Sequence, residues 1–305
     1  RGGTLTPSQL TVTFKTADGE QVTRTVNAGW DSYVVLMRGG SQQTVSTRFV
    51  RGMYMMSLPL YPLSPSAPEV LGVAPDRLLL ARWDPRLEGT GRYRLWPDID
   101  PFAPGKAFWI KLFSDLDLTV KGLSVDPDVD FPVPLQFGWN MVGVPRGRAV
   151  NVANLRVQVG TDASVSFEEA VTRRFVQSSV FGYTTARGYE QVQQLEPFRG
   201  YWVRCMVPSE ARLLFPPEGA ATAQRRGAAD SAQEQTISRS GWAARVYARS
   251  GEGAGNVVIG QAVDGKALDR ELAAPPVGPG GVRVAIVQAG GRETPDGLYR
   301  SLLPG

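Results

Sequence analysis

The feature that most constrains the fold is an internal duplication of strand-and-turn phrases. The segment GMYMMSLP, from Gly52 to Pro59, recurs as GWNMVGVP, from Gly138 to Pro145, with Gly, Met and Pro at the same places. Both segments are too apolar for a surface loop and too short and glycine-broken for a helix. We interpret each as a buried strand that begins at a glycine and ends where proline stops the hydrogen-bonded ladder.

Two further landmarks follow each phrase in the same order. An aromatic middle strand comes first, and then a Pro-Phe…Gly turn leads into an aromatic-Trp-aliphatic strand, around Trp109 in one copy and Trp202 in the other. The spacing differs by a few residues, as loops allow. The duplication predicts repeats over residues 49–123 and 136–215, each too small to close its own core. We expect them to pack as one pseudo-symmetric β-sandwich or barrel over residues 49–215, with both tryptophans in the core.

The flanking regions also follow β patterns. Alternating residues around Ala17-Asp18-Gly19, and two more strands on either side of Gly39-Gly40, predict a β-module over residues 1–48, the end of an immunoglobulin-like domain. Small and polar residues over 216–240 predict a linker. Alternation resumes in GWAARVYARSG, which predicts a C-terminal β-sandwich-like domain over 241–305, with a hairpin turn at GEGAGN. With Gly 34 and Pro 23, the predicted fold class is all-β.

Composition excludes several kinds of chemistry. The chain has no histidine and one cysteine, Cys205, which removes Ser-His-Asp and Cys-His catalysis and the usual zinc, copper and iron sites. The carboxylate pairs Glu168-Glu169 and Asp98 with Asp100 suit glycoside hydrolysis only within a deep cleft, which the pattern does not indicate. We therefore predict no enzymatic activity, no catalytic residue and no cofactor other than calcium.

Charge and hydropathy limit the partners. The net charge is +4, but the arginines are scattered along the chain instead of clustered, which argues against a nucleic-acid partner. No apolar run reaches about 18 residues, so no membrane span is predicted.

One stretch has the spacing of a calcium site. SVDPDVDF places Asp126, Asp128 and Asp130 at alternate positions, which allows three carboxylates to converge on one hard cation. It lacks the glycine and terminal glutamate of an EF-hand loop. The other interpretation is a solvated turn between the two repeats, since Asp-Pro pairs are common in turns.

Three aromatic residues are candidates for sugar binding. Trp83, Trp96 and Tyr183 lie in irregular stretches that are rich in Arg, Asp and Gly. We expect an aromatic ring that is exposed in such a stretch to stack on a sugar. The other interpretation is that loops bury these rings.

The phrases GWNMVGVP…FRGYWVRC, APGKAFWIKL and NVVIGQAVDGKALD together resemble modules of large secreted bacterial surface proteins. In those proteins repeated β-domains lie near the carboxyl end of exported chains. The resemblance covers residues 45–300, and it implies an extracellular or cell-surface location, a structural or adhesive role and no catalytic residues. Similar tails continue into further strands, so we expect an incomplete third domain and a chain that is part of a longer product.

The sequence therefore predicts a non-catalytic extracellular structural or adhesive protein that assembles into a surface layer, filament or sheath. Edge strands would pair with further copies of the chain or with other surface proteins. The alternative is a carbohydrate-binding module that tethers a cell or an enzyme to polysaccharide.

Overall fold

The computed structural model describes residues 8–15, 21–28, 41–64, 66–87, 91–219, 240–250, 253–262, 271–279, 284 and 298–304. The chain divides into two compact units, Arg1–Arg38 and Gly39–Gly305. The first unit contains an antiparallel pair of strands, β1 (Ser8–Lys15) and β2 (Gln21–Ala28). The turn predicted between them and the strand predicted just before Gly39-Gly40 lie outside the described residues.

Repeat one consists of two sheets. Its outer sheet has the order β3 (Gln42–Phe49), β9 (Leu116–Leu123), β5 (Tyr61–Pro62). Its inner sheet has the order β4 (Gly52–Ser57), β8 (Ala107–Leu112), β6 (Leu79–Asp84), β7 (Arg92–Leu95). A short helix, α1 (Ala67–Leu71), and a 3-10 turn (Pro75–Arg77) connect the outer strand β5 to the inner strand β6.

Repeat two has the same plan. Its outer sheet has the order β10 (Phe131–Leu135), β19 (Ala211–Phe215), β13 (Arg156–Val159), β14 (Val165–Ser166). Its inner sheet has the order β11 (Gly138–Gly143), β18 (Gly200–Cys205), β15 (Val180–Thr184), β16 (Gly188–Val192). A small ladder joins β12 (Val150–Asn151) to β17 (Gln194–Leu195), and a 3-10 turn (Val152–Asn154) and the helix α2 (Phe167–Thr172) complete the repeat.

The two repeats share one topology, and the predicted all-β class with a duplicated centre is confirmed. In each repeat the first strand pairs antiparallel with the last, β3 with β9 and β10 with β19. Each repeat therefore begins with the strand before the one predicted, at residues 42 and 131 instead of 49 and 136. The strand β3 falls within the predicted N-terminal module because its partner β9 lies a whole repeat away, and a local pattern does not reveal such a pairing.

The inner sheets are buried on both faces, and this explains their uninterrupted apolar sequences. Met56 faces the core of its own repeat, whereas the adjacent Met55 faces the other repeat. In the same way Val142 faces its own core and Met141 faces the opposite repeat. Successive side chains of a strand point to opposite faces, so a strand between two cores needs apolar residues at every position. The outer strand β9 alternates between buried and exposed residues instead.

Three hydrophobic clusters lie between four sheet layers. One lies between the two sheets of repeat one, and a second between the two sheets of repeat two. The third joins the facing inner sheets, and its members are Met55, Ala81, Ala107, Trp109, Trp139, Met141, Phe181, Trp202 and Ala273. The expectation that each repeat is too small to close a core is thus corrected, because the second, outer sheet of each repeat covers its own interior.

The C-terminal strands form a mixed sheet with the order β20 (Ser240–Ser250), β21 (Gly253–Ala262), β23 (Leu298–Pro304), β22 (Glu271–Ala273). β21 and β23 are parallel, whereas the other pairs are antiparallel. The β20–β21 hairpin is closed by Ser250 opposite Gly253, where GEGAGN predicts a turn. This sheet belongs to the same compact unit as the repeats. Of the predicted linker, residues 220–239 lie outside the described part of the chain.

Candidate functional site

Reciprocal backbone contacts relate the two repeats by a pseudo-twofold axis. Met56 forms an antiparallel bridge with Arg199, and Lys106 forms one with Val142. Met56 and Val142 occupy the same place in the duplicated phrase, and Lys106 and Arg199 both precede the Trp-bearing strand. Each bridge is therefore the image of the other, as an isologous interface requires.

Small residues let the backbones meet at this axis. A Cβ atom added at Gly143 would lie 2.2 Å from Cβ of Ser57, its counterpart in the other repeat. One added at Gly200 would lie 2.8 Å from Cβ of its counterpart Ala107. The Ser57 hydroxyl donates a hydrogen bond of 2.7 Å to the carbonyl oxygen of Arg199. The glycines of repeat two thus remove the side-chain volume that would hold the inner sheets apart.

A hydrogen-bonded aromatic network crosses the axis. The Nε1 of Trp109 donates to the hydroxyl of Tyr93, and the Nε1 of Trp202 donates to the hydroxyl of Tyr189, both at 3.2 Å. The two tyrosine hydroxyls also hydrogen-bond to each other, and Tyr189 donates to the carbonyl oxygen of Pro276. Burial raises the pKa of both tyrosines well above the usual value, so both stay neutral and act as donors and acceptors.

Two of the predicted sugar-binding residues lie in this interface. Trp83 and Tyr183 occupy equivalent positions, opposite the paired tyrosines of the network. The ring of Trp83 meets Trp202 edge-on at 6.0 Å, and the ring of Tyr183 meets Trp109 edge-on at 4.7 Å. Trp96 is half-buried and packs against the core of repeat one. Trp83 and Tyr183 thus each contact an aromatic residue of the opposite repeat, and sugar binding by the three residues stays a prediction.

The three predicted calcium ligands do not form a cation site. The carboxylate of Asp126 accepts a hydrogen bond of 2.9 Å from the backbone N–H of Asp128, and Asp130 forms an ion pair with Arg156. Among the described residues, which include all three aspartates, no group of three or more potential metal ligands is close enough to hold an ion. The stretch is a hydrogen-bonded turn between the repeats.

A buried arginine that sequence reasoning missed fastens this turn. Arg146 is only 5% exposed and donates to the backbone carbonyl oxygens of Asp126, Val129 and Pro216, at 2.7, 2.5 and 2.9 Å. Burial lowers its pKa from the usual value, and the nearby carboxylates of Glu218, Asp130 and Asp126 act in the opposite direction. It joins the turn between the repeats to the end of repeat two. The only sequence signal was its place directly after the Pro that ends the phrase.

Among the described residues, the C-terminal sheet hydrogen-bonds to repeat two beside β16. The side chain of Asn256 donates to the carbonyl oxygens of Arg187 and Tyr189 on the β16 side, at 2.5 and 2.8 Å. Between them Gly188 has a φ of +78°, and an added Cβ there would lie 2.7 Å from the carbonyl oxygen of Ala254. The equivalent position in repeat one is Arg92. A side chain at that position blocks an equally close backbone approach in repeat one.

The first strands of the two repeats have different free edges. Phe49 and Leu135 are equivalent because each pairs with the first residue of the closing strand. β10 carries Pro132 and Pro134. Proline lacks an N–H and is tolerated in a sheet only where the missing donor faces away from the ladder. Repeat two is therefore unable to accept another strand along this side.

The equivalent edge of β3 keeps all its donors. Ser46 and Arg48 stand where β10 has its two prolines. Ser124 donates its backbone N–H to the carbonyl oxygen of Ser41, the residue before β3, at 2.9 Å. The backbone groups of the odd-numbered residues of β3 therefore face β9. The even-numbered residues direct their backbone groups to the other side. Within the described part of Gly39–Gly305, no strand pairs there.

Several other sheet edges of Gly39–Gly305 are protected in recognisable ways. The edge strands β5, β7, β14 and β22 have two to four residues, and short edges template pairing poorly. β16 is covered by β21. β20 is long and has no proline, but a register shift interrupts its pairing between Ser240 and Trp242. β3 is thus an eight-residue edge strand with neither proline nor a register shift.

Comparisons with protein-family models, with curated proteins and with solved structures give no match. Among the described residues, no helix is both long and apolar enough to cross a membrane.

Proposed function

We propose that this chain is a non-catalytic extracellular structural or adhesive protein that assembles into a surface layer, filament or sheath. The observation that supports the proposal is the eight-residue edge of β3, along which no strand pairs within the described part of Gly39–Gly305. Unpaired backbone donors and acceptors in a row are a template for another strand. Repeat one keeps these backbone donors on β3, whereas the prolines of β10 remove them from repeat two. This difference favours association through one repeat and not through the other.

The buried aromatic centre also supports a structural role. The largest side chains of the interface between the repeats contact one another and lie inside the protein. Two sandwiches joined by a third core form a stiff unit, because packed interiors have low compressibility. A stiff unit with an eight-residue edge that is open to strand pairing suits a building block of an extracellular assembly.

The test is direct observation of assembly. The purified chain is concentrated stepwise and followed by light scattering after size exclusion, and the same samples are viewed by negative-stain electron microscopy. We expect the mass to rise with protein concentration and ordered layers or fibres to form. A chain that remains a monodisperse monomer at the highest concentration, without ordered particles, overturns the proposal.

A further inference from the structure

We propose that two copies of this chain join through the free edge of β3, antiparallel to each other, so that their outer sheets become one continuous sheet. The inference rests on the proposed self-association and assigns its first contact. This surface, the β3 edge, consists of the backbone groups that point away from β9, which belong to Gln42, Thr44, Ser46 and Arg48.

Two hydrogen bonds fix which residues face outward. The carbonyl oxygen of Lys121 accepts from the N–H of Leu63, the residue after β5, at 3.1 Å, so Lys121 faces away from β3. Its partner across the ladder is Thr44. In an antiparallel pair, both members of such a position point away from each other. Thr44 therefore presents its N–H and C=O at the free edge, as do the residues two positions along in either direction.

The strand is complementary to itself. In the antiparallel register centred on Val45, Thr44 lies opposite Ser46 of the second copy, and Gln42 lies opposite Arg48. Residues that face outward thus meet residues that face outward, which hydrogen-bonded pairing requires. The register opposes Val45 to its own copy on the half-buried face, and it sets no arginine against another. Apolar and Ser–Thr cross-strand pairs are favourable, whereas directly opposed like charges are not.

The partner of the β3 edge is β3 of a second copy, because the strand is complementary to itself in both hydrogen bonding and charge. Its outward side chains are polar and uncharged except for Arg48, which pairs with Asp115 at 3.1 Å. A partner selected by charge would need an unpaired charge on this strand. The long edge strand β20 is a poorer candidate, because its pairing is irregular at the start and it carries Arg245 and Arg249.

The first experiment transfers the block of β10 to β3. In the full chain, Ser46→Pro with Arg48→Pro reproduces the proline pattern of the equivalent strand. The matched control, Ser46→Ala with Arg48→Ala, removes the same side chains but keeps both N–H groups. Sedimentation velocity of the wild-type chain is expected to show a species of twice the chain mass. We expect the alanine variant to retain this species and the proline variant to lose it.

The second experiment tests the register with cysteine substitutions, so that its result does not depend on how proline affects folding. Val45→Cys places two thiols opposite each other at a non-hydrogen-bonded pair, where Cα atoms lie about 4.5 Å apart and a disulfide forms readily. Gln43→Cys is the control, because in this register its two copies are offset by four residues, about 13 Å. The native Cys205 is buried and does not compete. We expect a covalent dimer of the first variant under mild oxidation and none of the second.

The outcomes separate the inference from the proposed function. A wild-type chain that never leaves the monomer overturns both. Assembly that persists in the proline variant, or a cross-link from Gln43→Cys but not from Val45→Cys, overturns the β3 contact and leaves self-association standing. Protection of the outward amides of β3 from hydrogen exchange in the monomer also overturns it, since the chain itself would then cover the edge.

Discussion

The aromatic network on the pseudo-twofold axis gives the sharpest test of how the repeats are joined. Tyr189→Phe removes a hydroxyl that accepts from Trp202, donates to Pro276 and bonds to Tyr93. Tyr93→Phe removes the acceptor of Trp109 and the same tyrosine–tyrosine bond. Both changes keep the aromatic ring, so the hydrophobic packing is retained. The change in the free energy of unfolding therefore comes mainly from the polar groups that lose their partners.

The expected magnitudes follow from the number of groups that lose a partner. A buried donor or acceptor without a partner costs about 1–3 kcal/mol. Tyr189→Phe leaves the indole of Trp202 and the carbonyl of Pro276 without their partners, so we expect the free energy of unfolding to fall by about 2–6 kcal/mol. Tyr93→Phe leaves the indole of Trp109 and should cost about 1–3 kcal/mol. Either change already breaks the bond between Tyr93 and Tyr189, so the double variant should lose about 1 kcal/mol less than the sum.

Urea unfolding followed by tryptophan fluorescence measures these free energies, because the indoles concerned report on the interface. Tyr247→Phe is the control, since this tyrosine is 54% exposed. The substitution should change the free energy of unfolding by less than about 0.5 kcal/mol. If both interface variants behave like the control, the network does not stabilise the join between repeats. If the two losses simply add, the hydroxyls are not coupled across the axis.

Three other predictions concern separate features. Gly143→Ala should destabilise by about 1–3 kcal/mol because its Cβ would lie 2.2 Å from another Cβ, whereas Gly147→Ala, with nothing within 4 Å, should be neutral by thermal unfolding. Arg146→Met should lower the free energy of unfolding in urea by about 2 kcal/mol or more, since three carbonyls lose a charged donor. An equal loss from Arg148→Met, at an exposed position, would contradict this. Burial raises the pKa of Tyr201 to about 12, so its neutral form contributes stability that is complete below pH 10 and is lost as the pH rises through about 12. Phenolate absorbance, compared with Tyr201→Phe, should show its titration near 12, and titration near 10 in the folded protein would refute the assignment.

The inner strands could be predicted from sequence because burial on both faces leaves a local trace. GMYMMSLP and GWNMVGVP are apolar at nearly every position, and the strands β4 and β11 coincide with them. The same reasoning expected Trp109 and Trp202 in the core, and each is at most 1% exposed. A glycine at the start of each strand and a proline after it mark the boundaries.

The candidate sites were less predictable. The alternate spacing of Asp126, Asp128 and Asp130 is compatible with a cation site, but the direction of each side chain depends on partners such as Arg156 that are distant in sequence. Irregular composition around Trp83 and Tyr183 left two interpretations open, exposure to a sugar and burial under loops. Both residues instead pack against tryptophans of the opposite repeat. A local pattern does not show which face of a strand meets another domain.

By itself the sequence determined the class of fold, the duplication, and which strands lie inside, because hydrophobic periodicity and turn residues act over a few neighbouring positions. Only the tertiary structure showed the pairing of first with last strands, the axis between the repeats, the role of Arg146 and the side of β3 along which no described strand of Gly39–Gly305 pairs. Those features come from contacts between residues far apart in the chain. The sequence shows prolines in β10 and none in β3, but only the strand pairing shows that the two strands form equivalent sheet edges.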